Sequence, residues 1–273
     1  MKKYNMYPGF LEVIELESCD STNNYLKKNY EQLKSRLPVL ITAAQQTRGR
    51  GRRDRTWQSQ KYLGLYSTFG FYLESGSKLP LLPLTAGISV IETLNKITRF
   101  PGNSDGGRDF EFGLKWPNDI LAGNRKISGI LIENTMFKEK VFSVTGIGIN
   151  LNHTTENFPG SLKDTATSLR LITGKTGKIE KVNKVLSHIF FSWLAKLKNN
   201  EHKEIIEQAN RYSGFLKDRP ITFHQDDKIT SAIFRGINND GGIILEGRQG
   251  TEKIYYSGEI SPVSYVINNK DKK

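Results

Sequence analysis

Residues 47–57 read Thr47-Arg48-Gly49-Arg50-Gly51-Arg52-Arg53-Asp54-Arg55-Thr56-Trp57, with five arginines inside the eight positions from Arg48 to Arg55. Glycine between arginines lets the backbone approach a ligand closely, while guanidinium forks grip phosphate or carboxylate oxygens two at a time. Like charges at this density repel one another. The expected behaviour is a mobile loop that orders when a polyanionic ligand arrives. Composition alone equally fits a solvated basic loop or an arginine-glycine nucleic-acid tail. Such tails sit at termini, however. This run follows the apolar stretch Val39-Leu40-Ile41-Thr42-Ala43-Ala44 and precedes another, Leu65-Tyr66-Ser67-Thr68-Phe69-Gly70-Phe71-Tyr72, both read as strands.

The chain around this loop has 273 residues, of which 37% are hydrophobic, enough for one large domain with a real core plus one small domain. A single cysteine, Cys19, excludes a disulfide framework and a cysteine-built zinc site, which fits a reducing compartment. His153, His188, His202 and His224 show no metal-ligand spacing and read as surface or loop residues. No apolar run has the length of a membrane span, and the start, Met-Lys-Lys-Tyr-Asn-Met-Tyr-Pro, has no signal-peptide core. A cytoplasmic protein with no membrane association is expected. Its formal net charge of +12 favours acidic partners by long-range steering.

Upstream of the loop, Phe10 to Leu16 alternates as a strand, and Asp20-Ser21-Thr22-Asn23 offers capping oxygens to a helix from about Asn23 to Leu33. On the residues alone Ser21 and Thr22 are caps. The same strand-to-helix corner also leaves hydroxyls and N–H groups able to hold a small polar ligand group. Downstream, a buried helix is expected over Pro80 to Ile97, then a Gly-rich loop over Pro101 to Arg108. Three β-rich runs follow, Phe112 to Asp119, Lys126 to Glu133 and Val141 to Asn150, joined tightly enough to form an antiparallel meander. A helical stretch from about Ile179 to Tyr212 comes next. Beyond a boundary near Ser213 to Asp218, short strands over Pro220–His224, Ile229–Ile237, Gly242–Leu245 and Lys253–Ser257 are separated by Asn-Asp-Gly-Gly and Gly-Arg-Gln-Gly turns, a small β-barrel pattern.

Chemistry concentrates in the meander. Lys115 and Lys126 flank a turn with Asp119 between them, and on antiparallel strands they can face one cleft beside the arginine loop. An amine near charge developing at phosphorus stabilises a transition state, and a carboxylate there can orient it or help hold magnesium. Gly129, Gly146 and Gly148, inside strand patterns, mark either bulges or places where a ligand lies against the backbone.

Taken in order, the segments Asp20-Ser21-Thr22-Asn23, Gln46, Gly49 to Trp57, Lys115-Trp116-Pro117-Asn118-Asp119, Arg125 to Glu133, Gly146-Ile147-Gly148-Ile149-Asn150, Thr167-Ser168-Leu169 and Ser257-Gly258-Glu259-Ile260-Ser261 resemble the biotin protein ligases, over nearly the whole chain. The resemblance implies an α+β fold: a class II aminoacyl-tRNA-synthetase-like catalytic domain with a mixed, largely antiparallel sheet at 1–214, a C-terminal SH3-like β-barrel at 215–268, and a basic tail at 269–273. It implies that biotin and ATP, with Mg2+ and no assigned protein ligand for it, give biotinyl-5′-AMP and pyrophosphate, and that a lysine of a biotin carboxyl carrier protein then accepts the biotinyl group.

Carried over position by position, the catalytic residues implied are Lys126, Arg52, Asp119 and Lys115. Biotin would be bound by Ser21, Thr22, Asn23, Gln46, Arg50, Gly51, Arg52, Lys126, Gly129 and Ile130. ATP and the adenylate would be bound by Arg50, Arg52, Arg53, Arg55, Trp57, Lys115, Asn118, Lys126 and Asn150. A homodimer built by joining sheets edge to edge is a further family expectation.

Asp54 departs from the glycine usual in the family's arginine run. Aspartate tolerates positive φ at modest cost and can pair with a neighbouring arginine, so a stiffer loop is expected. Asp20 lies too near the start to leave room for the helix-turn-helix domain of bifunctional members, so a ligase without sequence-specific DNA binding is expected. Two other readings stay open. A lipoate ligase shares the fold and acyl-adenylate chemistry, but its Arg-Arg-x-x-Gly-Gly-Gly pattern is missing here. A nucleic-acid-binding module would use the arginine loop and barrel as a basic surface, leaving Lys115 to Asp119 and Ser21 to Asn23 unexplained.

Overall fold

A computed structural model describes residues 1–6, 11–76, 78–98, 111–226 and 228–262. Eight strands form the main sheet: β1 (Lys2–Met6), β2 (Leu11–Leu16), β3 (Val39–Ala43), β4 (Gly64–Glu74), β5 (Phe112–Lys115), β6 (Asp119–Ala122), β7 (Arg125–Met136) and β8 (Lys140–Asn150). Their order is β1-β2-β3-β4-β8-β7-β6-β5. Only β2 and β3 run parallel, so the sheet is mixed and largely antiparallel. A parallel pair needs a long crossover, and here it contains helices α1 (Thr22–Lys28) and α2 (Tyr30–Leu33).

Strand alternation divides the core in two. Ile14, Val39, Ile41, Phe142 and Val144 point toward α1 and pack with Leu26 and Leu33. Their strand neighbours Val13, Leu40 and Val141 point the other way. There they meet α3 (Leu81–Thr98), α5 (Ile179–Lys198) and α6 (His202–Ser213). A short helix α4 (Leu169–Thr173) precedes α5. With both faces covered, β4 is buried from Gly64 to Phe71, which explains its unbroken apolar and small-residue pattern.

A second sheet, wholly antiparallel, comprises β9 (Pro220–Gln225), β10 (Lys228–Ile237), β11 (Ile243–Glu246), β12 (Glu252–Tyr255) and β13 (Glu259–Pro262), in the order β12-β11-β10-β9-β13. Its Ile221, Phe223, Phe234, Ile243 and Ile260 join the larger core cluster. The Trp116 indole donates to the Gly241 carbonyl at 3.0 Å, tying the two sheets together next to the cavity described below.

The structure revises several element boundaries. The helix expected over Asn23 to Leu33 breaks at Asn29, and the one over Ile179 to Tyr212 breaks around Asn200, which adopts φ +61°. Asparagine tolerates that left-handed conformation better than most residues and ends the helix there. The run Phe112 to Asp119 is two strands, because Trp116-Pro117-Asn118 turns the chain back. The strand Glu259–Pro262 was not anticipated. The loop expected over Pro101 to Arg108 lies outside the described residues. Among the described residues no helix is long and apolar enough to cross a membrane.

Candidate active site

A cavity of about 440 Å³ opens over the ends of β4, β7 and β8 nearest the arginine loop, bounded also by the start of α1, by that loop, and by Glu259 and Pro262 from the second sheet. Its two ends differ in chemistry.

At one end Ser21, Thr22 and Asn23 are buried. The Ser21 side chain makes no capping bond. Gln46 satisfies the helix start instead, its Oε1 accepting from the Thr22 N–H at 2.9 Å and the Thr22 hydroxyl at 3.1 Å. Gln46 Nε2 donates to Ser59 Oγ at 2.7 Å. The Thr68 hydroxyl lies 2.8 Å from Thr22 Oγ1 and 2.7 Å from Asn23 Oδ1. A Cβ on Gly146 would collide with Asn23 Oδ1, so that glycine makes room for the amide. The cap-only reading of Ser21 and Thr22 is therefore set aside: they belong to a neutral, hydrogen-bonded wall.

At the other end Asp119 accepts from Lys126 at 2.6 Å and from Lys115 at 3.1 Å. The sheet register produces this. Lys115 pairs with Asp119 across β5 and β6. On β7 a bulge near Ile127 places Lys126 opposite Leu121 rather than Ala122. Without that extra residue Lys126 would face the opposite side of the sheet from Asp119. Burial alone would push the Asp119 pKa up, but the two ammonium groups outweigh it and hold the carboxyl below its ordinary range. Both carboxylate oxygens are engaged by lysines, so Asp119 holds the two amines side by side. Among the described residues no group of three or more His, Cys, Asp or Glu forms a metal site.

The arginine segment forms a small hairpin: Gly51 N–H donates to Arg55 O at 2.7 Å and Trp57 N–H to Gly49 O at 2.9 Å. Arg53 and Asp54 turn its tip with φ of +53° and +57°. Asp54 thus adopts the positive φ expected of it, but makes no ion pair among the described residues. Among the described residues, three of the five arginines meet protein partners. Arg50 meets Glu133 at 3.0 Å and Asn24 Oδ1 at 3.0 Å, Arg52 donates to Asn118 Oδ1 at 3.0 Å, and Arg55 meets Glu259 at 2.6 Å. Protein carboxylates and amides thus partner three arginines of the segment expected to order when a polyanionic ligand arrives.

Gly129 and Gly148 face each other across β7 and β8. A Cβ on Gly148 would lie 2.5 Å from the Trp57 ring, and one on Gly129 2.9 Å from it. The occupant of this slot is the chain's own indole. Lys126 Nζ sits 5.5 Å from that ring's centroid, and the buried indole N–H has no partner among the described residues.

The structure brings to the cavity every site residue expected from the sequence except Arg53, including Gly51, Ile130 and Asn150. Arg53 is exposed at the hairpin tip, because the turn that brings Arg52 inward sends its neighbour outward. Thr68, Glu133, Glu259 and Phe158 were missed as contributors. Thr68 had one signal, a polar pair with Ser67 in mid-strand. His153 corrects another expectation. It is 1% exposed, stacks on the cavity-lining Phe158 at 5.1 Å, and has its pKa pushed down by burial to about 4.

The family model "Biotin/lipoate A/B protein ligase family" matches residues 15–152, and "Biotin protein ligase C terminal domain" matches residues 218–261. The bifunctional ligase/repressor BirA of Bacillus spizizenii is 30% identical over 80% of this chain, which spans 64% of that relative's length. BirA of Escherichia coli is 31% identical over 91% of this chain and 73% of its own length. The solved biotin protein ligase from Aquifex aeolicus in complex with biotin and ATP superposes with a TM-score of 0.70 at 33% identity, covering 91% of this chain and 97% of that one. Fold, motif order and these matches agree, and the chain belongs to the biotin/lipoate A/B protein ligase family.

Proposed function

We propose that the chain is an ATP-dependent biotin protein ligase that forms biotinyl-5′-AMP and transfers the biotinyl group to a lysine of a biotin carboxyl carrier protein. The observation that carries this is the polarity of one cavity: a neutral end built from the buried Thr22 and Asn23 with the half-buried Gln46, and a cationic end built from Arg52, Lys115 and Lys126. An uncharged head group with N–H and C=O functions suits the first. A carboxylate meeting a triphosphate suits the second.

In the first half-reaction a biotin carboxylate oxygen bonds to the α-phosphorus of ATP as the bond to pyrophosphate breaks. Lys126, oriented by Asp119, neutralises charge growing at that phosphoryl group, and Lys115 and Arg52 add to the same field. ATP brings magnesium on its own phosphates. In the second, the carrier amine attacks the biotinyl carbonyl, AMP leaves with the bonding electron pair, and the amine gives up a proton as the amide forms. The arginine hairpin over the cavity would keep water from the mixed anhydride between the two steps. Trp57, Phe158 and Asn150 line the same cavity, and aromatic faces with an amide suit a nucleobase.

On this reading the main sheet with its helices is a class II synthetase-like catalytic domain, residues 1–214, and the second sheet an SH3-like domain beginning at 215. The same reading makes the protein cytoplasmic. Because β1 and β5 end the main sheet, one of these edges could add the sheet of a second copy. The test is ATP–pyrophosphate exchange with biotin, lipoate or neither. Exchange that depends on biotin is expected; exchange dependent on lipoate, or absent with both, defeats the proposal.

A further inference from the structure

Glu133 on β7 lies outside the cavity wall, yet side chains from two elements converge on it. Arg50 Nη1 is 3.0 Å and 3.2 Å from its two carboxylate oxygens, Asn23 Nδ2 is 3.0 Å from Oε2, and Lys27 Nζ is 2.7 Å from Oε1. Two of these partners, Arg50 and Asn23, line the cavity; Lys27 does not. We propose that Glu133 is a positioning residue that fixes both ends of the arginine hairpin and the hydrogen-bond polarity of the neutral pocket.

The hold on the hairpin's first strand is direct, through Arg50. The hold on its second strand is relayed. With its NH2 drawn to Glu133 and to the Leu131 carbonyl at 3.2 Å, Asn23 must present Oδ1 to the Thr68 hydroxyl. The Thr22 hydroxyl is then the donor to Thr68, the Thr22 N–H donates to Gln46 Oε1 at 2.9 Å, Gln46 Nε2 donates to Ser59, and the Ser59 hydroxyl donates to the Trp57 carbonyl at 3.1 Å. Trp57 in turn closes the hairpin base on Gly49. One carboxylate therefore anchors Arg50 and begins a polar chain that ends at the opposite strand of the same loop. Burial pushes the Glu133 pKa up, but bonds from Lys27, Asn23 and Arg50 outweigh it, so the anchor is ionised at neutral pH.

The test begins without any ligand. Limited trypsin digestion of the intact protein, read by mass spectrometry, reports cleavage after Arg50, Arg52, Arg53 and Arg55. Glu133→Ala should raise that cleavage about tenfold, the factor expected from losing about one charge-assisted contact. Glu133→Gln keeps an acceptor for Asn23 but loses the charge facing Arg50, so its rate should fall between. Lys27→Met should digest like wild type, because Lys27 touches neither hairpin nor cavity.

The second arm rests on the ligase reading: in biotin-dependent exchange Glu133→Ala should raise the KM for biotin several-fold while kcat stays within about twofold, a loss of binding rather than of transition-state contact. Wild-type hairpin cleavage in both Glu133 variants overturns the proposal. So does cleavage that rises uniformly along the chain, which marks general destabilisation. A looser hairpin with unchanged KM overturns the claim on the pocket. If biotin supports no exchange in the wild type the ligase reading fails, and the digestion arm still decides the hold on the hairpin.

Discussion

The two ends of the cavity are held together by opposite means. At the neutral end Thr22, Asn23, Gln46 and Thr68 are buried or nearly so and satisfied by one another, so the wall is shaped before any ligand arrives. At the cationic end Lys115 and Lys126 share the carboxylate of Asp119, and among the described residues Arg52 has an amide and a carbonyl oxygen for partners. Positive charge there exceeds its local compensation. The first end is complementary to a shape, the second to a charge that appears during reaction. Substitutions should therefore separate binding from chemistry according to the end they touch.

The largest effect belongs to the cationic end. Lys126→Ala should lower single-turnover biotinyl-AMP formation about 100- to 1,000-fold, the usual loss when one preorganised electrostatic contact is removed. Circular dichroism should show the fold intact, since Asp119 keeps Lys115. A mutant forming biotinyl-AMP near the wild-type rate would erase the distinction between the ends. Arg52→Gly should act next: with the guanidinium contact to Asn118 gone, biotinyl-AMP should escape, and lysines of bystander proteins should be labelled roughly tenfold more. A variant that retains its intermediate and labels only the carrier would remove the hairpin from the reaction.

At the neutral end Thr22→Val keeps the volume but deletes the hydroxyl between Gln46 and Thr68. A buried acceptor left one donor short costs about 1 to 3 kcal/mol. The KM for biotin should rise about tenfold with kcat nearly unchanged. A fall in kcat with KM constant would mean that this end takes part in the transition state, contrary to the comparison.

These two ends were unequally legible in the sequence. The cationic end announces itself through arginine density, whereas lysines around a turn are usually surface residues, and strand alternation alone would send Lys126 to the face opposite Asp119. What escaped was the bulge on β7 that turns Lys126 inward, since a register shift depends on partner strands. The neutral end carries residues that serve equally as helix caps, and on the residues alone Ser21 and Thr22 were caps. Only their order beside Gln46 and the arginine run singled them out. The glycines were read as bulges or as places where a ligand lies against the backbone; what lies there is the chain's own Trp57, over Gly129 and Gly148, and Asn23, over Gly146, which strand pattern cannot reveal. Glu133 and Glu259 sat unassigned within quoted motifs, because their importance lies in which arginine each meets.

The last effect is on stability rather than on rate, and it tests how burial acts when no counter-charge answers it. Asp119 and His153 are both buried, with opposite outcomes. Two lysines override burial at Asp119 and keep it charged, whereas at His153 burial acts unopposed and keeps the ring neutral, with a pKa lowered from 6.5 to about 4. The signs separate the two in pH. Asp119 has a depressed acid pKa, so its contribution to stability is complete above the unfolded value of about 3.9 and is lost only as pH falls further, through the folded value. His153 is a base with a depressed pKa. As pH falls from 6.5 toward 4 the unfolded chain binds a proton that the folded chain refuses, and stability declines across that window. His153→Phe removes the titration while keeping an aromatic ring against Phe158. Its melting temperature should drop about 5 to 10 °C less than that of wild type between pH 6.5 and pH 4, a difference read from the slope and unaffected by any constant packing penalty. Parallel slopes in the two proteins would show that the buried imidazole already takes a proton in the folded state, and that burial near the cavity costs a charge far less than the contrast with Asp119 implies.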